Sequence, residues 1–129
     1  MIDAKIDSGK ILLIENDEFD AVSFSELLEE RGYTVTRAST GRDALAKARE
    51  RRYDIIILDI TLPDMKGKDV CSALKKSYKK IPVIVLTAQD DIDDIQELFE
   101  KGADDYIIKP CRQGFLLSSI QAYISRKNL

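Results

Sequence analysis

The sequence predicts an α/β fold: one five-stranded parallel sheet, doubly wound by helices, with strand order 2-1-3-4-5. Three observations carry this expectation. First, the runs Ile11–Ile14, Ile55–Leu58 and Val83–Leu86 are short, unbroken and rich in Ile and Val, as strands covered on both faces must be. Second, helical patterns separate these runs, so strands and helices alternate along the chain. Third, two weaker strand candidates, Tyr33–Arg37 with alternating polarity and the short Tyr106–Ile108, suit sheet edges. With right-handed crossovers, the order 2-1-3-4-5 places the second and fifth strands outside.

The elements follow in order. Residues 1–9 read as a flexible leader and residues 10–129 as one domain. After the first strand, Phe24, Leu27, Leu28 and Arg31 recur at spacings of three and four beyond Asp20, and Gly32 can supply a left-handed cap. Ala44, Leu45 and Ala48 mark a second helix, with Ser39 or Thr40 as N-cap. Val70, Ala73, Leu74 and Ser77 mark a third. Ile92, Ile95, Leu98 and Phe99, ended by Gly102, mark a fourth, and Phe115, Leu116, Ile120, Tyr123 and Ile124 a fifth.

Composition narrows the function. The 129 residues suit one domain with one core, 44% being hydrophobic and 33% charged, which is ordinary for a soluble globular chain. A net charge of −3 with both signs dispersed argues against direct nucleic-acid binding, which needs a basic face. Nothing approaches the roughly 18 apolar residues of a membrane span, and the first ten residues lack the apolar stretch of a signal peptide. Cys71 and Cys111 have no metal-ligand spacing and read as reduced thiols of a cytoplasmic protein. The chain contains no His, so Ser-His-Asp and Cys-His chemistry is excluded.

In a sheet of this order, ligands bind beyond the carboxyl ends of the strands, where the winding reverses between strands one and three. Glu15, Asn16 and Asp17 follow the first strand, Asp59 ends the third, Thr87-Ala88 ends the fourth and Lys109-Pro110 ends the fifth. Taken singly, an acid at a strand end is usually a helix cap and a lone Lys is usually solvated. Four strands delivering such groups to one rim need a common explanation. Two carboxylates 5 Å apart repel by about 3 kcal/mol at an effective dielectric of 20. A divalent cation relieves this, and an all-oxygen donor set suits Mg²⁺. With an ammonium and a hydroxyl nearby, the rim has the parts of an anion-transfer site with a carboxylate nucleophile.

Four segments carry a family likeness: "ILLIENDE", "DIIILDITLPDMKG", "IPVIVLTA" and "KGADDYIIKP". In this order and spacing the chain resembles, from about Lys10 to its end, the receiver domain of two-component response regulators, close to the chemotaxis type, with its flavodoxin-like (βα)5 fold. The resemblance implies that Asp59 accepts a phosphoryl group from a phosphohistidine on a sensor histidine kinase or a histidine phosphotransfer protein. It further implies Mg²⁺ held by Glu15, Asn16, Asp59 and the backbone carbonyl of Thr61. Lys109 and Thr87 would contact the phosphoryl group beside the small Ala88, and Tyr106 would turn inward as Thr87 moves. The Lys109-Pro110 bond would be cis. The switched surface would be the fourth helix, fifth strand and fifth helix, read by a downstream effector protein or an output domain outside these residues, with a homodimer as a further possibility. Such a domain is a signalling module rather than an enzyme.

One departure stands out. The family usually has two adjacent acids after the first strand. The 43 residues from Asn16 to Asp59 place Glu15 on the first acid and the uncharged Asn16 on the second, which implies weaker Mg²⁺ binding unless Asp17 compensates. The other alignment sets Asn16-Asp17 on the two acids and needs a longer first strand. Asn16 is also the one feature favouring a pseudo-receiver, an interaction module that works without phosphorylation. "DIT" at Asp59–Thr61 resembles the start of a haloacid-dehalogenase-type phosphatase, but there the nucleophile follows the first strand. Cys111 stands where the family often has Phe.

Overall fold

The computed structural model describes residues 8–88 and 92–127. Ten elements alternate: β1 (Lys10–Ile14), α1 (Glu18–Glu30), β2 (Thr34–Ala38), α2 (Gly41–Glu50), β3 (Ile55–Asp59), α3 (Gly67–Ser77), β4 (Val83–Thr87), α4 (Ile92–Glu100), β5 (Asp105–Ile108) and α5 (Gln113–Lys127). All strand pairings are parallel and the order is β2-β1-β3-β4-β5, as the sequence predicts. Most of the leader, residues 1–7, and Gln89 lie outside the described residues.

The unbroken apolar runs are explained by a core on each face of the sheet. Side chains alternate along a strand. Leu12, Ile14, Ile56, Leu58, Val83 and Val85 therefore meet Ala44, Ala48, Val70, Leu74 and Leu98 from α2, α3 and α4. Their neighbours Ile11, Leu13, Ile55, Ile57, Ile84 and Leu86 meet Phe24, Leu28, Leu116, Ile120 and Ile124 from α1 and α5. All five residues of β3 and of β4 are buried, each large apolar side chain contributing about 1.5–3 kcal/mol. Cys71 is one of the buried apolar contacts of α3, and Cys111 packs partly buried against the opposite core.

The helix ends follow local chemistry, with some differences from expectation. α1 begins at Glu18, before Asp20, because the Asp17 carboxylate accepts from the Asp20 backbone N–H at 3.0 Å and caps the helix. Thr40, not Ser39, caps α2 by accepting from Asp43 N–H. Gly32 and Gly102 take φ of +106° and +108°. Each closes a paired C-terminal turn, in which Gly32 N–H donates to Glu29 O and Tyr33 N–H to Leu28 O, and Gly102 and Ala103 repeat the pattern on Phe99 and Leu98. β2 begins at Thr34, one residue later than expected, because Tyr33 belongs to this turn. Two predicted core residues are exposed: Phe99 of α4 and Phe115 of α5. The spacing identifies a helix face without fixing how far it is covered: Phe99 stays 42% exposed although its ring meets Tyr106 edge-to-face, and Phe115 stays 58% exposed.

The loop after β3 is held in two ways. The Asp64 carboxylate accepts from the Gly41 and Arg42 N–H groups at the start of α2, at 2.8 and 2.9 Å. Gly67 lets the first turn of α3 press on Ile60, because a Cβ there would lie 2.4 Å from the Ile60 Cα.

Candidate functional site

Register brings the predicted residues to one end of the sheet. Asp59 is the last residue of β3, paired with Leu86, and Thr87 ends β4, paired with Ile108. Lys109 follows β5, its N–H donating to the Thr87 carbonyl at 2.7 Å, and its bond to Pro110 is cis. Glu15 follows β1 and its N–H donates to the Ala38 carbonyl. Strands that are buried to their last residue thus carry polar groups into a buried position: Glu15, Asp59 and Thr87 are 3%, 6% and 1% exposed.

Lys109 is the hub. Its Nζ lies 2.6 Å from Asp59 Oδ2, 2.7 Å from Glu15 Oε1 and 2.8 Å from Asp20 Oδ2. An ammonium has three N–H donors, so three carboxylates take all of them. The other Asp59 oxygen, Oδ1, accepts from the Thr61 N–H at 2.8 Å. A cavity of about 310 Å³ opens over this group, and Asn16, Asp17, Thr61 and Ala88 complete its wall.

The electrostatics reflect crowding. Burial pushes the Glu15 carboxyl up to about 8. A hydrogen bond with Asp59 and the Asp59 charge push the same way, and Lys109 only partly offsets them. Burial works against the Lys109 ammonium, but its bonds to Asp20, Asp59 and Glu15 outweigh that and hold its pKa above the ordinary lysine value. The ammonium thus does part of the neutralising that the sequence assigns to a divalent cation.

The donor set fits Mg²⁺ in kind, since the groups round the cavity are carboxylates, an amide and a hydroxyl residue with no His or Cys. Among the described residues no three acids are already arranged as a cation cage, because Lys109 stands between them. Asn16 uses its amide N–H on the Ser39 carbonyl at 2.9 Å, which leaves its oxygen as the group able to serve a cation. Asp17 lines the same cavity but is engaged through one carboxylate oxygen as the α1 cap, a bond that restrains it from swinging toward a cation.

The remaining predicted residues divide. Ala88 lines the cavity. Tyr106 lies half-buried on β5, packed on the α2–α3–α4 core and edge-to-face on Phe99 of α4, with ring centroids 5.8 Å apart. Asp20 is the site residue that sequence reasoning missed. An acid in the first turn of a helix reads as a companion of the helix dipole. No sequence signal separates that role from a contact with Lys109, because the contact depends on α1 starting at Glu18.

Comparisons with known proteins identify the family and the fold. The family model described as "Response regulator receiver domain" matches residues 11–121. The transcriptional regulatory protein AfsQ1 of Streptomyces coelicolor is 37% identical over 116 residues, covering 90% of this chain and 51% of that protein. The chain spans about half the length of the curated relatives it matches. Among solved structures, a CheY-like response regulator receiver domain protein from Methanospirillum hungatei superposes with a TM-score of 0.90 at 28% identity, covering 95% of this chain and 98% of that one. The signal receiver domain of a histidine kinase from Syntrophus aciditrophicus gives a TM-score of 0.84 at 37% identity, covering 91% and 90%.

Proposed function

The chain belongs to the response regulator receiver domain family, and from that premise we propose that Asp59 is its phosphoryl acceptor. The observation that carries this reading is the placement of Asp59: buried at the end of the central strand, one oxygen held by Thr61 N–H and the other by Lys109, at the floor of an open cavity. The donor is a phosphohistidine on a sensor histidine kinase or a histidine phosphotransfer protein. A carboxylate oxygen of Asp59 attacks phosphorus, the phosphorus–nitrogen bond breaks, and its electron pair leaves with the imidazole.

The residues present would do the following. Thr61 N–H fixes the rotation of the Asp59 carboxylate, and Lys109 offsets the charge gathering on the phosphoryl oxygens. Glu15, Asp59, the Asn16 amide oxygen and the Thr61 carbonyl would hold Mg²⁺, which when bound supplies positive charge against the acyl phosphate. Ala88 leaves room beside the phosphoryl group. Thr87 and Tyr106 relay its arrival, since an acyl phosphate adds close to two negative charges and new acceptor oxygens at this rim. The exposed Phe99, Ile108 and Phe115 supply apolar surface on α4, β5 and α5 for an effector protein, an output domain or a second copy.

A chain of this kind is a signalling module that takes one phosphoryl group, not an enzyme that turns over a substrate. Incubation with a phosphate monoester in excess separates the two: no release of phosphate beyond one equivalent is expected, and sustained turnover would favour the phosphatase reading. The pseudo-receiver reading rests on Asn16, whose amide faces Ser39 where the family has an acid. It expects partner binding unchanged by Asp59→Ala.

A further inference from the structure

We propose that Asp20 is a resting-state tether of Lys109 that opposes occupation of the phosphoryl site. The inference rests on Asp59 being the phosphoryl acceptor. All three donors of the Lys109 ammonium are committed in this structure, to Asp59, Glu15 and Asp20. A phosphoryl group in front of Asp59 therefore gains a bond from Lys109 only if one carboxylate yields its own.

Exposure decides which one yields. The Glu15 and Asp59 side chains are 1% and 8% exposed, whereas that of Asp20 is 32% exposed. A carboxylate that loses its partner inside the protein bears a large desolvation cost, and one open to water is rehydrated. Glu15 and Asp59 are also the groups that would hold Mg²⁺, so of the three only Asp20 binds Lys109 without serving the occupied site, and it is the group that lets go. Its bond to Lys109 stabilises the unoccupied site and is absent from the occupied one. Its charge acts in the same direction, because it stands one ammonium away from where a dianion arrives. Asp20 lies on the rigid first turn of α1, fixed by the Asp17 cap, so the tether is built into the helix start. It is a positioning residue, acting on the phosphoryl group only through Lys109.

The test is an equilibrium one. Beryllium fluoride serves as a non-covalent stand-in for the phosphoryl group, titrated calorimetrically at saturating Mg²⁺ into wild type, Asp20→Asn and Glu18→Gln. Glu18 shares the first turn of α1 and its carboxylate pairs with Arg37 instead, so Glu18→Gln controls for helix-dipole charge. Asp20→Asn is expected to bind roughly two- to five-fold more tightly, the size of a partly exposed ion pair, with Glu18→Gln unchanged. The phosphorylated fraction under limiting acetyl phosphate should rise in the same sense. Unchanged or weaker binding by Asp20→Asn overturns the tether, and weaker binding together with a lower Mg²⁺ affinity assigns Asp20 to the cation instead. A wild type that binds no beryllium fluoride and gains no phosphoryl mass overturns the acceptor reading and the tether together.

Discussion

Lys109 and Asp59 stand fifty positions apart in the chain, yet the ammonium of one lies 2.6 Å from the carboxylate of the other. The pair forms because β3 and β5 flank β4 in parallel and end at the same rim. It is also the centre of charge balance for the site, since Glu15 and Asp20 converge on the same nitrogen.

Removing the ammonium should therefore destabilise the fold. Lys109→Met leaves Glu15 and Asp59 buried without a cation, and the expected loss is about 2–4 kcal/mol in urea unfolding without divalent ions. Millimolar Mg²⁺ should narrow the gap, because a cation that binds only the folded chain stabilises it. Equal stability of wild type and Lys109→Met would show that the carboxylates do not depend on Lys109.

Asn16→Asp should tighten Mg²⁺ binding by roughly ten-fold, since it adds a charge to a wall of the cavity that now offers only an amide oxygen. Titration calorimetry reads this directly. No change would remove Asn16 from the cation site.

Gly67→Ala should cost about 2–3 kcal/mol, seen as a lower Tm. The added Cβ would stand 2.4 Å from the Ile60 Cα and 2.6 Å from the Ile60 carbonyl oxygen, and backbone cannot rotate away as a side chain can. Ile60 follows Asp59 directly, so the repair should also disturb the acceptor. Wild-type stability in this variant would mean that the loop after β3 has slack.

The two cysteines should react at very different rates. Burial pushes the Cys71 thiol up to about 11, so only about one in a thousand molecules is thiolate there at pH 8. Cys111 is raised too, by its own partial burial, but it is not enclosed. A disulfide reagent should label one thiol quickly and the second only after denaturation. Because folded Cys71 keeps its proton longer than the unfolded thiol, this residue's contribution to stability should be lost as pH rises from 9 to about 11. Two thiols labelled at one rate would contradict its enclosure.

Much of this was legible in the sequence, for identifiable reasons. Ile55–Leu58 and Val83–Leu86 have apolar residues at every position, which only a strand covered on both faces requires. Once the sheet order followed from the edge strands, Asp59, Thr87 and Lys109 had to share a rim. Asp20 was not legible, because the same residue in the first turn of any helix is stabilised by the dipole alone, and its bond to Lys109 depends on where α1 starts. That start depends on Asp17, which sequence reading held in reserve for the cation and the structure uses as a cap. Phe99 and Phe115 have the spacing of core residues and are exposed, since periodicity defines a face without saying what lies against it.

The most direct measurement is the intact mass of the protein after incubation with acetyl phosphate and Mg²⁺, for wild type and Asp59→Ala. Wild type should gain the mass of one phosphoryl group and Asp59→Ala none. A wild type that stays unmodified at every Mg²⁺ concentration, or an Asp59→Ala that gains the same increment, would contradict Asp59 as the phosphoryl acceptor.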